Sequence, residues 1–415
     1  MKMRLMATLS SVCLGLCASG ARAAIEPFTV GASETVAHDS NIGRTDSGHT
    51  VADWYSTTEV RGGVSQALGR DQLSGSAAVN YTGYRDHADH SLDSFGYRGA
   101  LRLDWSTVGD ISGALGADAV RRRYTGDVDQ SDGIALRSVE GRILETDSHA
   151  FAKISLGGVS RWNIFAAGDL NRRRFSPSAF AVNDEQQWSQ SLGTTYSTSP
   201  DLSFGITGNY THGEYPNFGA PADFDSRSLS ATTKWQASGN SRFNAALGYT
   251  TQTSDLQPTL RFVSGNLYWV WTPPSHFNVS LGLSRSSDGG AASGAGPTAT
   301  TLNDQSLNTT GSLSVTYLFT AKVNFVAGAQ YVTRKYTNAT VINNSGFSFG
   351  NSDVVSGADH TQRISLAAHY LATRTTDLSC SVAHAVRHGS PQIAQSLASN
   401  YIDNLVQCVA AIDFN

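Results

Sequence analysis

The stretch SFGITGNYT, residues 203–211, decides the fold. Phe204, Ile206, Gly208 and Tyr210 share one parity; Ser203, Gly205, Thr207 and Asn209 share the other. A side-chain period of two belongs to a β-strand, here with one apolar face and one small, polar face. The alternation recurs in FNVSLGLS (277–284), where Phe277, Val279, Leu281 and Leu283 oppose Asn278, Ser280, Gly282 and Ser284. It recurs in SLSVTYLF (312–319), and no amphipathic helix of useful length interrupts the series. The prolines fall between these segments (Pro27, Pro177, Pro200, Pro216, Pro221, Pro258, Pro273, Pro274, Pro297, Pro391), where they break no ladder.

Connections alternate in length. Short ones are LGRD (68–71), VGD (108–110), GGVS (157–160), TSPD (198–201), SGNS (238–241), TPPS (272–275), TAK (320–322) and RTTD (374–377). Between them lie long polar segments such as 39–50, 127–135, 288–301 and 337–357. Eight short turns and nine long loops predict an all-β fold of about 18 strands (16–18). Its form is a transmembrane antiparallel up-and-down β-barrel with short periplasmic turns, long extracellular loops and both termini in the periplasm. A soluble β-sandwich or β-helix lectin would show a more hydrophobic buried face; here one face is Ser, Thr, Asn, Gln and Gly throughout, suited to a wet lumen. Trp54, Trp105, Trp162, Trp188, Trp235, Trp269 and Trp271 are all expected on the apolar face, many near strand ends as girdle residues.

Residues 1–23 read as a cleavable signal peptide: Lys2 and Arg4, then an apolar run Leu5–Leu16, then Ala21-Arg22-Ala23. Residues 24–415 form one barrel domain, placed by this reading in the bacterial outer membrane. Loss of Lys2, Arg4 and Arg22 makes the mature chain more acidic than the formal net charge of -4, which argues against nucleic acid as a partner. Cys13 and Cys17 leave with the signal, so Cys380 and Cys408 remain.

Two strands end in arginine triplets, ADAVRRRYTGD (117–127) and AAGDLNRRRFSP (166–177). By chain order both run outward, so the triplets lie at the extracellular rim, and Arg85, Arg285, Arg334 with Lys335, and Arg387 end outward strands too. Parity turns Arg122 and Arg173 to the lumen, and Arg121, Arg123, Arg172 and Arg174 to lipid or the interface. Arginine costs little near an interface, and a guanidinium binds phosphate bidentately, so these four are expected to grip lipopolysaccharide. Arg61, Arg98, Arg102, Lys153, Lys234, Arg242, Arg363 and Arg387 join Arg122 and Arg173 as lumen candidates. Glu59, Asp104, Asp118, Asp147 and Asp169 share that face, giving a mixed, slightly basic lumen suited to neutral or anionic solutes.

Cys380 in DLSCSVAH and Cys408 in NLVQCVAAIDFN fall on lipid-facing parity in the last two strands. A register that sets 377 opposite 411 ends both strands together and pairs the two cysteines. In the oxidising periplasm this predicts a cross-strand disulfide. Phe414 stands next to last, before Asn415.

The segment VGASETVAHDSNIGRT, with Asp39, Ser40, Asn41, Ile42 and Arg44, resembles the opening of EpsL-type outer-membrane β-barrel proteins. The C-terminal two-cysteine hairpin ending in Phe is similar as well. The resemblance covers the mature chain in pattern and its two ends in motif. It implies membership of an exopolysaccharide biosynthesis operon, export of the polymer through the barrel, and a periplasmic polysaccharide-export partner to supply the energy.

Two functions are therefore expected to compete: an exopolysaccharide export channel, and a diffusion porin for small sugar or anionic solutes. A porin would fold a long loop into its lumen, with residues 337–357 the best candidate. No enzyme is expected: H-E-x-x-H is absent from the sequence, and neither a cofactor nor a metal is expected. RDHADHSLD places His87 and His90 among Asp86, Asp89 and Asp93 and reads as a solvated loop ahead of a metal site; GDVDQSDG (126–133) faintly resembles a calcium loop but lacks the closing Glu.

Overall fold

The computed structural model describes residues 27–85, 92–124, 143–157, 160–176, 178–217, 223–254, 259–288, 292–294, 299–302, 306–343, 352–391 and 400–414. The expected signal peptide and the loops around His87, His90 and 126–133 lie outside these residues. The strands are β1 (Phe28–Asp39), β2 (Asp53–Leu68), β3 (Asp71–Tyr84), β4 (Ser94–Ser106), β5 (Ile111–Arg123), β6 (Leu144–Leu156) and β7 (Trp162–Ser176). There follow β8 (Glu185–Ser199), β9 (Leu202–Glu214), β10 (Phe224–Ser238), β11 (Ser241–Ser254), β12 (Leu260–Trp271) and β13 (Phe277–Asp288). The last are β14 (Ala292–Gly294), β15 (Ala299–Leu302), β16 (Ser306–Leu318), β17 (Val323–Asn343), β18 (Ser352–Leu371), β19 (Thr376–Gly389) and β20 (Tyr401–Phe414).

Each strand pairs antiparallel with the next, except that β13 pairs with β16 across the short β14–β15 hairpin. Closure comes from β1 against β20, with Val30 opposite Phe414 and Asp39 opposite Leu405. The result is a closed antiparallel barrel of 18 strands, wide enough for an aqueous interior. Closure leaves no sheet edge, which a strand in lipid could not tolerate. All eight short connections fall at one end, as the alternation of lengths requires.

The two faces separate by parity. Leu247, Leu192 and Ile364 are 67%, 64% and 64% exposed, because they face outward where lipid would cover them. All seven tryptophans share that outward parity with their cross-strand neighbours, such as Trp235 opposite Phe243 and Trp269 opposite Phe243 from the other side. Trp162–Tyr196, Trp235–Phe243–Trp269–Trp271 and Phe277–Tyr317–Phe319–Phe325 form runs of ring contacts near the short-turn end. These runs are an aromatic girdle at the periplasmic interface.

Burial concentrates at the other end. Tyr124, Ile143 and Phe180 form one small core with Phe175 against it, and Tyr215 packs with Phe224. Both clusters sit where strands meet extracellular loops. The segment 337–357 departs from its expected role. Residues 337–343 and 352–357 prolong β17 and β18, pairing Ala339 with Val355, while Thr340–Asn343 also pair with β15. The hairpin thus extends as sheet, because its Val, Ile and Thr residues suit strand backbone; residues 344–351 lie outside the description. The inward-folded segment is instead the first loop.

Candidate functional site

The lumen is the candidate site, and its extracellular rim is the most constrained part. Asp39, the last residue of β1, accepts from Asn41 N at 2.8 Å and from Arg44 Nη1 at 3.0 Å. Arg44 also lies 3.3 Å from Asp403 of β20 and donates to the Asn41 carbonyl. Asn41 Nδ2 reaches the carbonyls of Thr45 (2.7 Å) and Ile402 (3.2 Å). Ser40 exchanges bonds with Asn404 of β20. Asn41 is 0% and Arg44 4% exposed, so the first loop is latched inside the rim against β20. Arg44 has φ of 52°, a left-handed backbone that costs roughly 1–2 kcal/mol and persists only where surroundings fix it. The Asp-Ser-Asn-Ile-x-Arg segment is thus a folded brace.

The arginine triplets supply a second rim cluster. Arg122 Nη2 meets Glu145 at 2.8 Å and Asp147 at 2.9 Å. Arg173 Nε meets Glu145 at 3.1 Å and Asp147 at 3.2 Å, and its Nη1 lies 3.7 Å from Glu185. Registers explain this: Arg122 is opposite Glu145, Asp147 opposite Arg173, and Arg173 opposite Glu185. The central arginine of each triplet therefore ties adjacent strand ends together. Both arginines face the lumen side, as parity expects, and both are held in the wall: Glu145 and Asp147 engage each of them, and Glu185 lies near Arg173. A third cluster joins Arg387 to Asp359, which also accepts from Tyr336 Oη at 2.9 Å; Arg334 stands opposite Asp359.

Of the flanking arginines, Arg121, Arg172 and Arg174 stay on outward parity, opposite Tyr97, Gln186 and Thr146 respectively. Arg123 differs. The β4–β5 pairing stops at Arg121, and the freed Arg123 side chain donates to Tyr84 Oη at 2.6 Å with its guanidinium 5.0 Å from that ring. Tyr84 lines the lumen, so Arg123 serves the inner wall.

Below the rim the wall is polar and open. Arg98 pairs with Glu59 at 2.8 Å, Arg61 with Asp413 at 2.7 Å, and Arg102 with Asp104 at 2.6 Å. Any side chain at Gly31 would collide with Asp413, so glycine makes room for the Arg61 pair. His149 lies 3.0 Å from Asp118 and 3.2 Å from Asp169. The Lys153 ammonium stands 4.9 Å from the Phe165 ring. Arg363 faces inward opposite Gln330 and Ala385. Lys234 and Arg242, on adjacent strands near the periplasmic mouth, are exposed and carry no ion pair among the described residues. Asp39, Asp53, Glu145, Glu185, Asp359, Asp403 and Asp413 also stand on the lumen side, together with Arg44, Arg123 and Arg334, so the wall carries both signs. Several lie at strand ends, where parity within one strand gives no warning of the cation on the next.

Cys380 stands opposite Cys408 on the outer face, with 377 opposite 411, and the sulfurs are bonded at 2.10 Å.

A closed 18-strand barrel with an outward apolar face and a wet, charged interior defines a channel of the outer-membrane type. Residues 28–408 match the family described as "Putative beta-barrel porin 2", and the chain belongs to that family. Among curated proteins, none matches this sequence. Similar solved structures include the outer membrane protein OpdK from Pseudomonas aeruginosa (10% identity, 93% of this chain and 99% of that one, TM-score 0.47). OccK2 (OpdF) of the same organism, solved in complex with glucuronate, is 11% identical over 94% of this chain and 96% of its own, with TM-score 0.46. The FrpB iron transporter from Neisseria meningitidis is 12% identical over 91% of this chain and 64% of its own, with TM-score 0.48.

Proposed function

We infer that this barrel is a diffusion porin for small polar solutes of sugar or organic-anion size. The observation that carries the reading is the first-loop latch, in which Asp39, Asn41, Arg44 and Asp403 hold chain inside the extracellular rim. Two further rim clusters and the small Tyr124–Ile143–Phe180 core add bulk at the same end. A sliding polymer needs a clear bore, whereas a small solute needs only an eyelet above a wet vestibule. Such a vestibule is present beneath the latch, a cavity of about 420 Å³ with Glu59, Asn80, Thr82 and Arg98 in its wall. Membership of a porin family favours the same reading.

Export of exopolysaccharide with a periplasmic partner is the second reading, and the likeness to EpsL-type proteins favours it. The residues of that likeness build the latch, so they support a shared rim architecture more directly than a shared cargo. A deletion strain separates the two. The porin reading expects normal surface polysaccharide and slower uptake of a small sugar or sugar acid. Loss of surface polymer with unchanged uptake would overturn it.

A further inference from the structure

On the outer wall of β5–β10 the registers align residues into rows. One row runs Ala152, Gly168, Gln190, Tyr210, Arg227. The next toward the rim runs Ala150, Leu170, Trp188, His212, Asp225. Small side chains here leave two hollows, of about 950 Å³ and 550 Å³, in an otherwise convex lipid-facing surface. Arg121, Arg172 and Arg174 stand rimward of these rows, Arg172 lining the smaller hollow, and Arg227 ends the deeper row and lines the larger one, its guanidinium 5.7 Å from the Tyr210 ring.

The local acids are already engaged. Asp225 accepts from Tyr210 Oη at 2.6 Å and lies 3.1 Å from His212 Nδ1. Glu214 accepts from Gln186 Nε2 at 3.1 Å. The four arginines carry no ion pair among the described residues, and Arg121 Nε is buried without a hydrogen-bond partner there. Guanidinium groups facing lipid are costly at the bilayer midplane and cost little at the interface, so their place is the headgroup level. Fork-shaped donors at that level match phosphate oxygens.

We propose that this sector binds one lipopolysaccharide molecule, its lipid A phosphates on Arg121, Arg172, Arg174 and Arg227 and an acyl chain in the hollow over Ala152 and Gly168. Charge selects this occupant. A second copy docked by a two-fold axis would set four guanidiniums against four, with two carboxylates, Asp225 and Glu214, on each face to offset them.

The test titrates bisphosphorylated lipid A against the purified barrel in detergent, followed by native mass spectrometry. Parallel arms use lipid A without phosphates and the deacylated phosphorylated disaccharide. Each variant is first checked for the folded, faster-migrating band on unheated gels. R121Q/R172Q/R174Q/R227Q should weaken lipid A binding by ~10-fold or more. A152L/G168L should weaken lipid A while still binding the deacylated phosphosugar. A control, R261Q/R285Q/K335Q, removes charge from other strands at the same rim and should bind as the unaltered protein does. Undiminished binding by the four-arginine variant would overturn the proposal, as would equal loss in the control or indifference to the phosphates. An oligomer that A152L/G168L dissociates, with no bound lipid A, would overturn it in favour of a second copy.

Discussion

Glu145 has 0% exposure and faces two arginines, so its charge depends on them. Removing one side of a buried ion pair costs about 3–5 kcal/mol, because the carboxylate that remains has lost its solvent and its partner. Arg122→Gln with Arg173→Gln should therefore lower the temperature at which the folded band on gels converts to the unfolded one. Adding Glu145→Gln should recover part of the loss; an unchanged transition in the arginine variant would show that the cluster holds nothing together. Lys234 and Arg242 make the opposite case, being exposed on the lumen wall. Replacing both by Gln should leave stability unchanged and shift the reversal potential in a salt gradient toward cation selectivity. No shift would remove them from the conduction path.

Elements explain why some of this was legible in sequence and some was not. Strand parity follows from a period of two, so the outward tryptophans and the 377–411 register can be read from SFGITGNYT-like segments and the spacing of Cys380 and Cys408. Mass spectrometry of unreduced protein should find the peptides of these cysteines linked; free thiols in protein from outer membranes would contradict the register. Pairing between non-identical strand ends is not periodic. Nothing in RRRYTGD announces Glu145, which lies beyond a long loop. The first loop was equally hidden, since its latch needs β20, more than 350 residues away, to supply Asp403. Arg44→Ala should release that latch, because it removes the cation shared by Asp39 and Asp403, and raise single-channel conductance. Unchanged conductance would mean that the loop does not narrow the path.

For the whole molecule, closure of β1 on β20 and the alternation of short turns with long loops fix an orientation. A cysteine placed at Ser293 should react with an impermeant reagent on intact cells, and one at Gly239 should not; the reverse would invert the barrel. That orientation sets the braced rim at the cell surface and the open, polar wall toward the periplasm, the arrangement from which the porin reading follows. Its most direct test is swelling of liposomes that contain the purified, folded barrel, in isotonic sugars of rising size. The account predicts fast swelling with monosaccharides, a steep fall through di- and trisaccharides, and a higher cut-off for Arg44→Ala. No swelling with any small sugar, from a barrel that migrates as folded, would contradict it.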